Sequence, residues 1–168
     1  MKESSVENKK NNKNFKDKKK RKEIVVAVSG GFDPLHIGHL QMIKEAKELG
    51  DKLVVILNND NWLKKKKGYV FMPQEQRKAI LEAIRWVDEV VLTSHPENTE
   101  DMSVSKELEK IKPDIFANGG DRTRKNIPEV EVCRKINCKM IFNIGKDGKI
   151  ESSSWLLNRF LENFSNKK

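Results

Sequence analysis

The chain has 168 residues, of which 35% are charged and 36% are hydrophobic. This length and composition are typical of a single globular domain that can bury a substantial core. The net charge of +9 is uneven, because residues 1–22 hold ten Lys or Arg against three acidic residues, whereas residues 23–168 hold 24 against 22. A nearly balanced domain is not typical of a nucleic-acid-binding protein, and no apolar stretch approaches the roughly 20 residues that a membrane span needs.

Residues 1–22 lack apolar periodicity and contain almost no large apolar residues. We expect them to form a disordered basic tail in front of a single domain over residues 23–168. The tail has no apolar segment of the kind found in secretory signals, so a cytoplasmic location is expected. The run Lys18–Lys22 is interpreted as a solvated extension, with a nuclear-import signal as the alternative if the source is eukaryotic.

Beyond the tail, short apolar runs rich in β-branched residues alternate with helical patterns. The predicted strands are Ile24–Val28, Leu53–Leu57, Glu89–Leu92, Asp114–Ala117 and Lys139–Ile144. The predicted helices are Gly38–Leu49, Gln74–Arg85, Asp101–Ile111, Pro128–Ile136 and Ser153–Asn163. This alternation favours an α/β fold, a doubly wound (Rossmann-like) parallel sheet with helices on both faces, in a single domain. Ligands of such folds bind at the carboxyl ends of the strands.

The segment between the first strand and the first helix carries the most informative residues. Gly30 and Gly31 follow the strand, and His36 and His39 come at the start of the helix. A helix start offers free backbone N–H groups and the positive end of the helix dipole, which suit phosphate, and residues three apart share a helix face. The sequence therefore predicts a nucleoside triphosphate site. Neither G-x-x-x-x-G-K-[ST] nor G-x-G-x-x-G is present, which disfavours P-loop and dinucleotide sites.

The stretch Gly30–His39 resembles the signature G-x-F-D-x-x-H-x-G-H of the nucleotidylyltransferase superfamily. Later stretches are similar to the middle segment of that family in order and spacing: Lys67–Met72, Glu75–Arg77 and Ile84–Val90. The resemblance runs from about residue 24 to about residue 160 and indicates the cytidylyltransferase-like branch, which includes glycerol-3-phosphate cytidylyltransferase and heptose-phosphate adenylyltransferases. It implies transfer of a nucleoside monophosphate from a triphosphate to a phosphorylated acceptor, with release of pyrophosphate. Such a reaction depends mainly on positioning two anions and stabilising charge.

The resemblance also implies roles for individual residues. The implied catalytic residues are His36, His39, one or more lysines of a loop Lys64–Lys67 (Lys64 and Lys67 above all) and Arg77. The implied nucleotide-binding residues are Gly30, Gly31, Phe32, Gly38, Asn118, Gly120, Asp121, Arg122, Ser152, Ser153 and Ser154. The implied acceptor-binding residues are Asp33, Arg77 and Arg85. Asp33 is also interpreted as a structural anchor of its turn, and Arg85 as a partner of a core carboxylate. No protein metal ligands are expected, and Mg²⁺ is expected to bind mainly through the nucleotide phosphates.

Two positions depart from the family pattern. Gly31 stands where many relatives carry Thr, Ser or Cys, so a hydroxyl contact from that position is lost. The serines at 152–154 match only the end of an R-T-x-G-I-S-T-T stretch, and by default they cap a helix. The arginine of that stretch is absent, with Lys146 as a loose substitute, and Arg124 is a further phosphate candidate.

The sequence leaves more than one choice for the nucleotide and for the acceptor. CTP is favoured narrowly over ATP, with a small phosphorylated alcohol or sugar as the acceptor. The alternatives are an adenylyltransferase that uses ATP and a sugar phosphate, or a non-catalytic nucleotide- or nucleic-acid-binding protein. The tetrapeptide His-Ile-Gly-His also occurs in class I aminoacyl-tRNA synthetases, but their Lys-Met-Ser-Lys-Ser element is absent. A homodimer is expected, and a nucleic-acid or membrane partner is not.

Overall fold

A computed structural model describes residues 21–120, 122–123, 127–145 and 151–165. The strands are β1 (Val25–Gly30), β2 (Lys52–Leu57), β3 (Glu89–Leu92), β4 (Ile115–Gly119) and β5 (Lys139–Ile144). The helices in these ranges are α1 (Ile37–Lys47), α2 (Asp60–Lys67), α3 (Gln74–Glu82), α4 (Ser105–Ile111), α5 (Val130–Lys135) and α6 (Ser153–Ser165).

The strands form one parallel sheet in the order β3-β2-β1-β4-β5. The register places Val26 of β1 between Leu53 of β2 and Ile115 of β4. Strand order therefore reverses between β1 and β4, and in open α/β sheets ligands bind at the carboxyl ends of the strands at such a point. The predicted Rossmann-like α/β fold is confirmed, and the segment with the two histidines leaves β1 at this position.

Both faces of the sheet are covered, which explains the nearly continuous apolar runs of β1 and β2. On one face, Val28 belongs to a cluster with Ile43 of α1 and Leu81 of α3. On the other face, Ala27 belongs to a cluster with Leu108 of α4. All of these side chains are fully buried. Because successive residues of β1 point to opposite faces, a single short strand supports both layers.

The prediction of a loop at Lys64–Lys67 is wrong, because these lysines form the last turn of α2. Asn59 caps this helix by accepting a hydrogen bond from the Trp62 N–H, and Gly68 ends it with a φ of 82°. Lysine has a good helix propensity, and cations near a helix C-terminus are stabilised by the helix dipole. A run of one charge therefore does not by itself indicate a loop.

Four other helices are shorter than the sequence predicts, and α1 and α5 differ by one or two residues at their ends. Helix α3 ends at Glu82 rather than at Arg85, and α4 begins at Ser105 rather than at Asp101. The carboxylate of Asp101 accepts a hydrogen bond from the Ser103 N–H. Such local bonding of a short polar side chain competes with helix formation and delays the start of α4.

The first two described residues are cations that form ion pairs with the domain. Arg21 pairs with Asp51 and Lys22 with Asp114, which precede β2 and β4. The remainder of the expected tail, residues 1–20, lies outside the described residues, and the boundary between tail and domain stays a prediction. None of the helices in the described ranges is long and apolar enough to cross a membrane.

Candidate active site

A pocket of about 700 Å³ opens at the carboxyl ends of β1, β4 and β5. This volume is typical of sites for small molecules and cofactors. The first turns of α1 and α6 and the last residue of α2 complete its wall. The sequence-predicted site residues that line it are Gly30, Phe32, His36, Gly38, His39, Lys67, Gly120, Arg122, Ser152, Ser153 and Ser154. The fold thus brings together four segments that are far apart in the chain.

The two histidines stack on each other at the start of α1. The ring centroids of His36 and His39 are 3.7 Å apart, and the Phe32 ring packs on His39 with 4.9 Å between centroids. The backbone N–H of His36 donates a 3.3 Å hydrogen bond to Nδ1 of His39. Because Nδ1 accepts, the neutral His39 ring carries its proton on Nε2. The Nε2–H group is therefore the donor that His39 can offer to a ligand in the pocket.

The electrostatic environment keeps His39 neutral. Burial above all, together with the nearby charges of His36 and Lys67, lowers the pKa of His39 to about 3. In the ligand-free protein His39 therefore serves as a neutral hydrogen-bond donor at pH 7. Phosphate groups in the pocket would raise this pKa again, because an opposite charge favours the protonated ring. Such a group is suited to stabilise negative charge that develops on a phosphoryl oxygen.

Lys67 is the partly buried end of α2. Its ammonium donates a 2.7 Å hydrogen bond to the backbone carbonyl of Asp33, which leaves two N–H donors. Burial lowers the pKa of Lys67 below its ordinary value. An anionic ligand that accepts from this ammonium would offset the cost of its burial.

Asp33 anchors the turn that follows β1. Its fully buried carboxylate accepts hydrogen bonds from the backbone N–H groups of Phe71 and Met72, at 2.9 and 2.6 Å. The interpretation of Asp33 as a structural anchor agrees with this geometry. The expected acceptor contact does not agree with it, because both carboxylate oxygens are engaged inside the protein.

Arg77 requires a second correction. Its side chain is 0% exposed and donates to the backbone carbonyls of Met72, Gly31 and Asn58 at 2.8, 2.7 and 2.7 Å. It also donates to the Asp60 carboxylate at 2.5 Å. These four bonds use four of the five N–H donors of the guanidinium. Arg77 therefore ties the turn after β1 to the start of α2 and does not reach the pocket to bind an acceptor phosphate.

Three further predicted residues lie away from the pocket. Lys64 is exposed on α2, and Arg85 is exposed with its guanidinium 4.8 Å from the centroid of the Trp86 ring. Asn118 is buried, and its amide donates to the carbonyl of Phe116. Their predicted contacts with substrate are not supported by this geometry, since none of the three lines the pocket.

Two glycines of the signature are explained by close packing. A Cβ at Gly31 would come within 2.8 Å of Leu63 Cδ2, so the space that a Thr, Ser or Cys side chain would need is filled by a buried leucine. A Cβ at Gly38 would come within 3.2 Å of the His36 imidazole and 3.7 Å of the Glu151 carbonyl. Gly38 therefore lets His36 lie flat against the start of α1.

The serines before and within α6 combine a capping role with a pocket role. The Ser152 hydroxyl accepts from the Trp155 N–H at 3.1 Å, as the capping interpretation predicts. The Ser153 hydroxyl donates to the carbonyl of Pro34 at 2.9 Å, which ties α6 to the turn after β1. The N–H groups of Ser153 and Ser154 form no backbone hydrogen bond within the described ranges. They lie at the positive end of a 13-residue helix, where phosphate is favoured.

Sequence reasoning missed another part of the wall, formed by Gln41, Met42, Asn143 and Gly145. A signal was available for Met42, because it lies three residues after His39 and so shares its helix face. A signal was also available for Asn143, a polar residue at the end of a predicted strand in a fold whose ligands bind there. Its neighbours in the chain are apolar, which hid it in the pattern of a buried strand.

Some predicted residues lie outside the described ranges, namely Asp121, Arg124 and Lys146. Within those ranges, no group of three or more His, Cys, Asp or Glu side chains could hold a metal ion.

The fold and the pocket define an α/β protein with a cavity at the carboxyl end of its first strand, beside the start of its first helix. The chain belongs to the cytidylyltransferase-like family, whose family model matches residues 27–154. This family assignment agrees with the resemblance of Gly30–His39 to the nucleotidylyltransferase signature.

The chain is similar to several known proteins. It is 46% identical to the FAD synthase of Pyrococcus abyssi over 103 residues, which cover 60% of this chain and 66% of that protein, just under two thirds. It is 32% identical to the FAD synthase of Archaeoglobus fulgidus over 142 residues, which cover 83% of this chain and 98% of that protein. Among solved structures, the lipopolysaccharide core biosynthesis protein from Thermoplasma volcanium matches with a TM-score of 0.60 and 29% identity, covering 73% of this chain and 97% of that one.

Proposed function

We propose that this protein is an adenylyltransferase that transfers AMP from ATP to the phosphate of FMN, forming FAD and pyrophosphate. The observation that carries the proposal is the meeting of His36, His39 and Lys67 with the start of α6 in one pocket. This arrangement gathers hydrogen-bond donors and a cation where a triphosphate would react. The similarity to two FAD synthases supports ATP and FMN over CTP and a small phosphorylated alcohol or sugar.

The reaction assigns a distinct task to each part of the pocket. A phosphate oxygen of FMN forms a bond to the α-phosphorus of ATP, the bond from that phosphorus to the bridging oxygen breaks, and pyrophosphate leaves with the electron pair. The FMN phosphate is already ionised, so no base has to remove a proton. His39 donates from Nε2 to an oxygen on the α-phosphate, and Lys67 neutralises charge beside it. The N–H groups at the start of α6 hold the departing phosphates.

Divalent cations enter this scheme with the nucleotide. We expect Mg²⁺ to be bound by the phosphates of ATP rather than by side chains, since the described residues provide no cluster of ligands for it.

Exposed apolar side chains on segments that adjoin pocket-lining residues in the chain support an acceptor with a large flat ring. Ile37, Tyr69 and Phe71 are 59%, 41% and 54% exposed. Ile37 is the first residue of α1, and the N–H of Phe71 is held by the Asp33 carboxylate. Exposed apolar groups near a site indicate a ligand surface, and an isoalloxazine ring can bury such groups by stacking. A sugar phosphate would instead need polar groups for its hydroxyls.

ATP-dependent transfer to a sugar phosphate is the second candidate. The glycine pair Gly119-Gly120 at the end of β4 resembles the corresponding turn of heptose-phosphate adenylyltransferases. The similarity to the Thermoplasma protein, named for lipopolysaccharide core biosynthesis, favours the same candidate.

One assay separates these candidates. The purified protein is incubated with ATP or CTP, Mg²⁺, and FMN, a phosphorylated polyol or a sugar phosphate, and pyrophosphate release and product formation are measured. We expect FAD from ATP and FMN, with a kcat/KM at least tenfold above that of any other pair. His39→Asn should abolish most of the turnover and Lys65→Met should not, because Lys65 is an exposed lysine of the same helix as Lys67. A larger kcat/KM for CTP or for a sugar phosphate would contradict the proposal.

A further inference from the structure

Strand β5 is irregular where it reaches the pocket. Ala117 of β4 pairs with Ile141 and Gly119 pairs with Ile144, so β5 contains one extra residue in this interval. Asn143 lies in the resulting bulge with a φ of 60°, a left-handed conformation that asparagine adopts more readily than most residues. Bulges beside active sites re-aim side chains. Here the bulge places Asn143 in the pocket wall.

The carboxamide of Asn143 is available to a ligand. It takes part in none of the hydrogen bonds among the described residues. By contrast, the amides of Asn59 and Asn118 donate to backbone carbonyls within the fold. An asparagine carboxamide offers one acceptor oxygen and two N–H donors, so Asn143 brings a donor and an acceptor side by side to the pocket.

The surroundings of Asn143 are closely packed and include a group that suits a flat ring. A Cβ at Gly119 would come within 3.0 Å of the Met42 sulfur, so glycine lets the Met42 thioether pack against the end of β4. A thioether packs well against aromatic rings. The Gly145 N–H donates a 2.5 Å hydrogen bond to the Glu45 carboxylate. This bond fixes the end of β5 against α1. The backbone beside Asn143 is therefore held in place before a ligand arrives, which lowers the cost of ordering the site on binding.

The order of residues along α1 indicates that the part of the pocket around Asn143 faces the base of the nucleotide. His39, which is assigned to the phosphates, and Met42, which lies beside Gly119, are three residues apart on one helix face. A nucleotide with its phosphates at His39 can therefore extend its base along α1 toward Asn143. We propose that Asn143 determines base specificity, with its carboxamide pairing with the exocyclic amine and an adjacent ring nitrogen of adenine. This inference rests on the proposed use of ATP.

Two substitutions test the role of Asn143 without straining the backbone. Asn143→Gly removes the carboxamide at a position where glycine tolerates the positive φ. Asn143→Asp keeps the size and replaces both N–H donors by acceptors. The control variants are Asn137→Gly and Asn137→Asp, because Asn137 has a φ of 57° and precedes β5 at the opposite end of the strand. Circular dichroism and thermal unfolding confirm that each variant is folded.

The measurement compares ATP with purine riboside triphosphate, which lacks the exocyclic amine. The wild type and both Asn137 variants should prefer ATP by roughly five- to a hundredfold in kcat/KM, the range for one paired base edge. Asn143→Gly should reduce that preference to within about twofold, the coupling expected when the lost carboxamide contacts the exocyclic amine. Asn143→Asp should raise the ratio of GTP to ATP turnover by roughly tenfold, because a carboxylate can accept from the two N–H groups of guanine.

The possible failures are distinguishable. A full preference for ATP in an active Asn143→Gly enzyme would overturn the role of Asn143 and leave the proposed reaction intact. Failure of the proposed reaction would be seen in the wild type, as an absence of FAD from ATP and FMN. In that event equilibrium binding of the same two triphosphates replaces turnover. A wild type that binds both equally, or an Asn143→Gly variant that still discriminates, would overturn the inference.

Discussion

Acidification should destabilise the protein through His39, and substitution of this residue should remove the effect. The pKa of His39 is lowered from 6.5 to about 3 in the folded protein. Between these two values the unfolded chain binds more protons, so the free energy of unfolding decreases as pH falls below 6.5 and is unaffected by His39 above it. Each pH unit contributes about 1.4 kcal/mol. At pH 4.5 the loss from this one residue amounts to roughly 3 kcal/mol.

The assay is urea unfolding of the wild type and of His39→Asn at pH 7.5, 6.0 and 4.5. Asparagine keeps an acceptor for the His36 N–H but has no proton to gain in this range. Carboxylates such as Asp51 and Asp88 have a lowered pKa and lose stability on acidification in both proteins, so the difference between the two isolates His39. The wild type should lose roughly 3 kcal/mol more than the variant between pH 7.5 and 4.5. Parallel curves would refute a neutral, buried His39.

Three further predictions follow from the contacts of the site. Arg77→Met should lower the free energy of unfolding by about 3–5 kcal/mol, because it leaves the buried partners of the guanidinium unsatisfied; denaturant unfolding at pH 7.5 measures this loss. Lys67→Met should lower kcat by roughly a hundredfold with fold intact, whereas Lys65→Met should stay within about twofold, as single-turnover kinetics can show. Gly31→Ala should destabilise the wild type by about 1–3 kcal/mol but a Leu63→Ala background by clearly less, since the clash is with Leu63; additive effects in a double-mutant cycle would contradict this packing.

The sheet was predictable because its strands share one sequence pattern. Strands buried on both faces are nearly pure runs of apolar, β-branched residues, and the bounds of Glu89–Leu92 and Lys139–Ile144 agree with the structure. Helix α2 was not predictable in the same way. It buries only Leu63, so its sequence carries almost no apolar period. Its polar residues are held instead by contacts from distant segments, such as the bond from the Trp62 indole to the Met102 carbonyl.

Part of the candidate site was also predictable, because adjacent residues of the signature lie in one turn and one helix. The end of β1 and the start of α1 together fix the direction of these residues. The pocket is therefore lined by His36, Gly38 and His39. The direction of a long side chain on another element is set only by tertiary packing. An arginine at the fourth position of α3 gives the same sequence pattern whether its side chain reaches a substrate or the core. The Arg77 side chain lies in the core.

The buried charges explain how the site lysine is positioned. Asp33 holds the backbone after α2 through Phe71 and Met72, and Arg77 holds Gly31 and the start of α2. A buried ion that loses a partner is strongly destabilising, so these bonds favour a single arrangement of α2 relative to the turn after β1. That arrangement brings the Lys67 ammonium within 2.7 Å of the Asp33 carbonyl, at the edge of the histidine pair. Catalysis by positioning depends on such fixed geometry. The signature therefore combines two tasks in ten residues, with Asp33 fixing the lysine and the histidines lining the pocket where we propose that the phosphates bind.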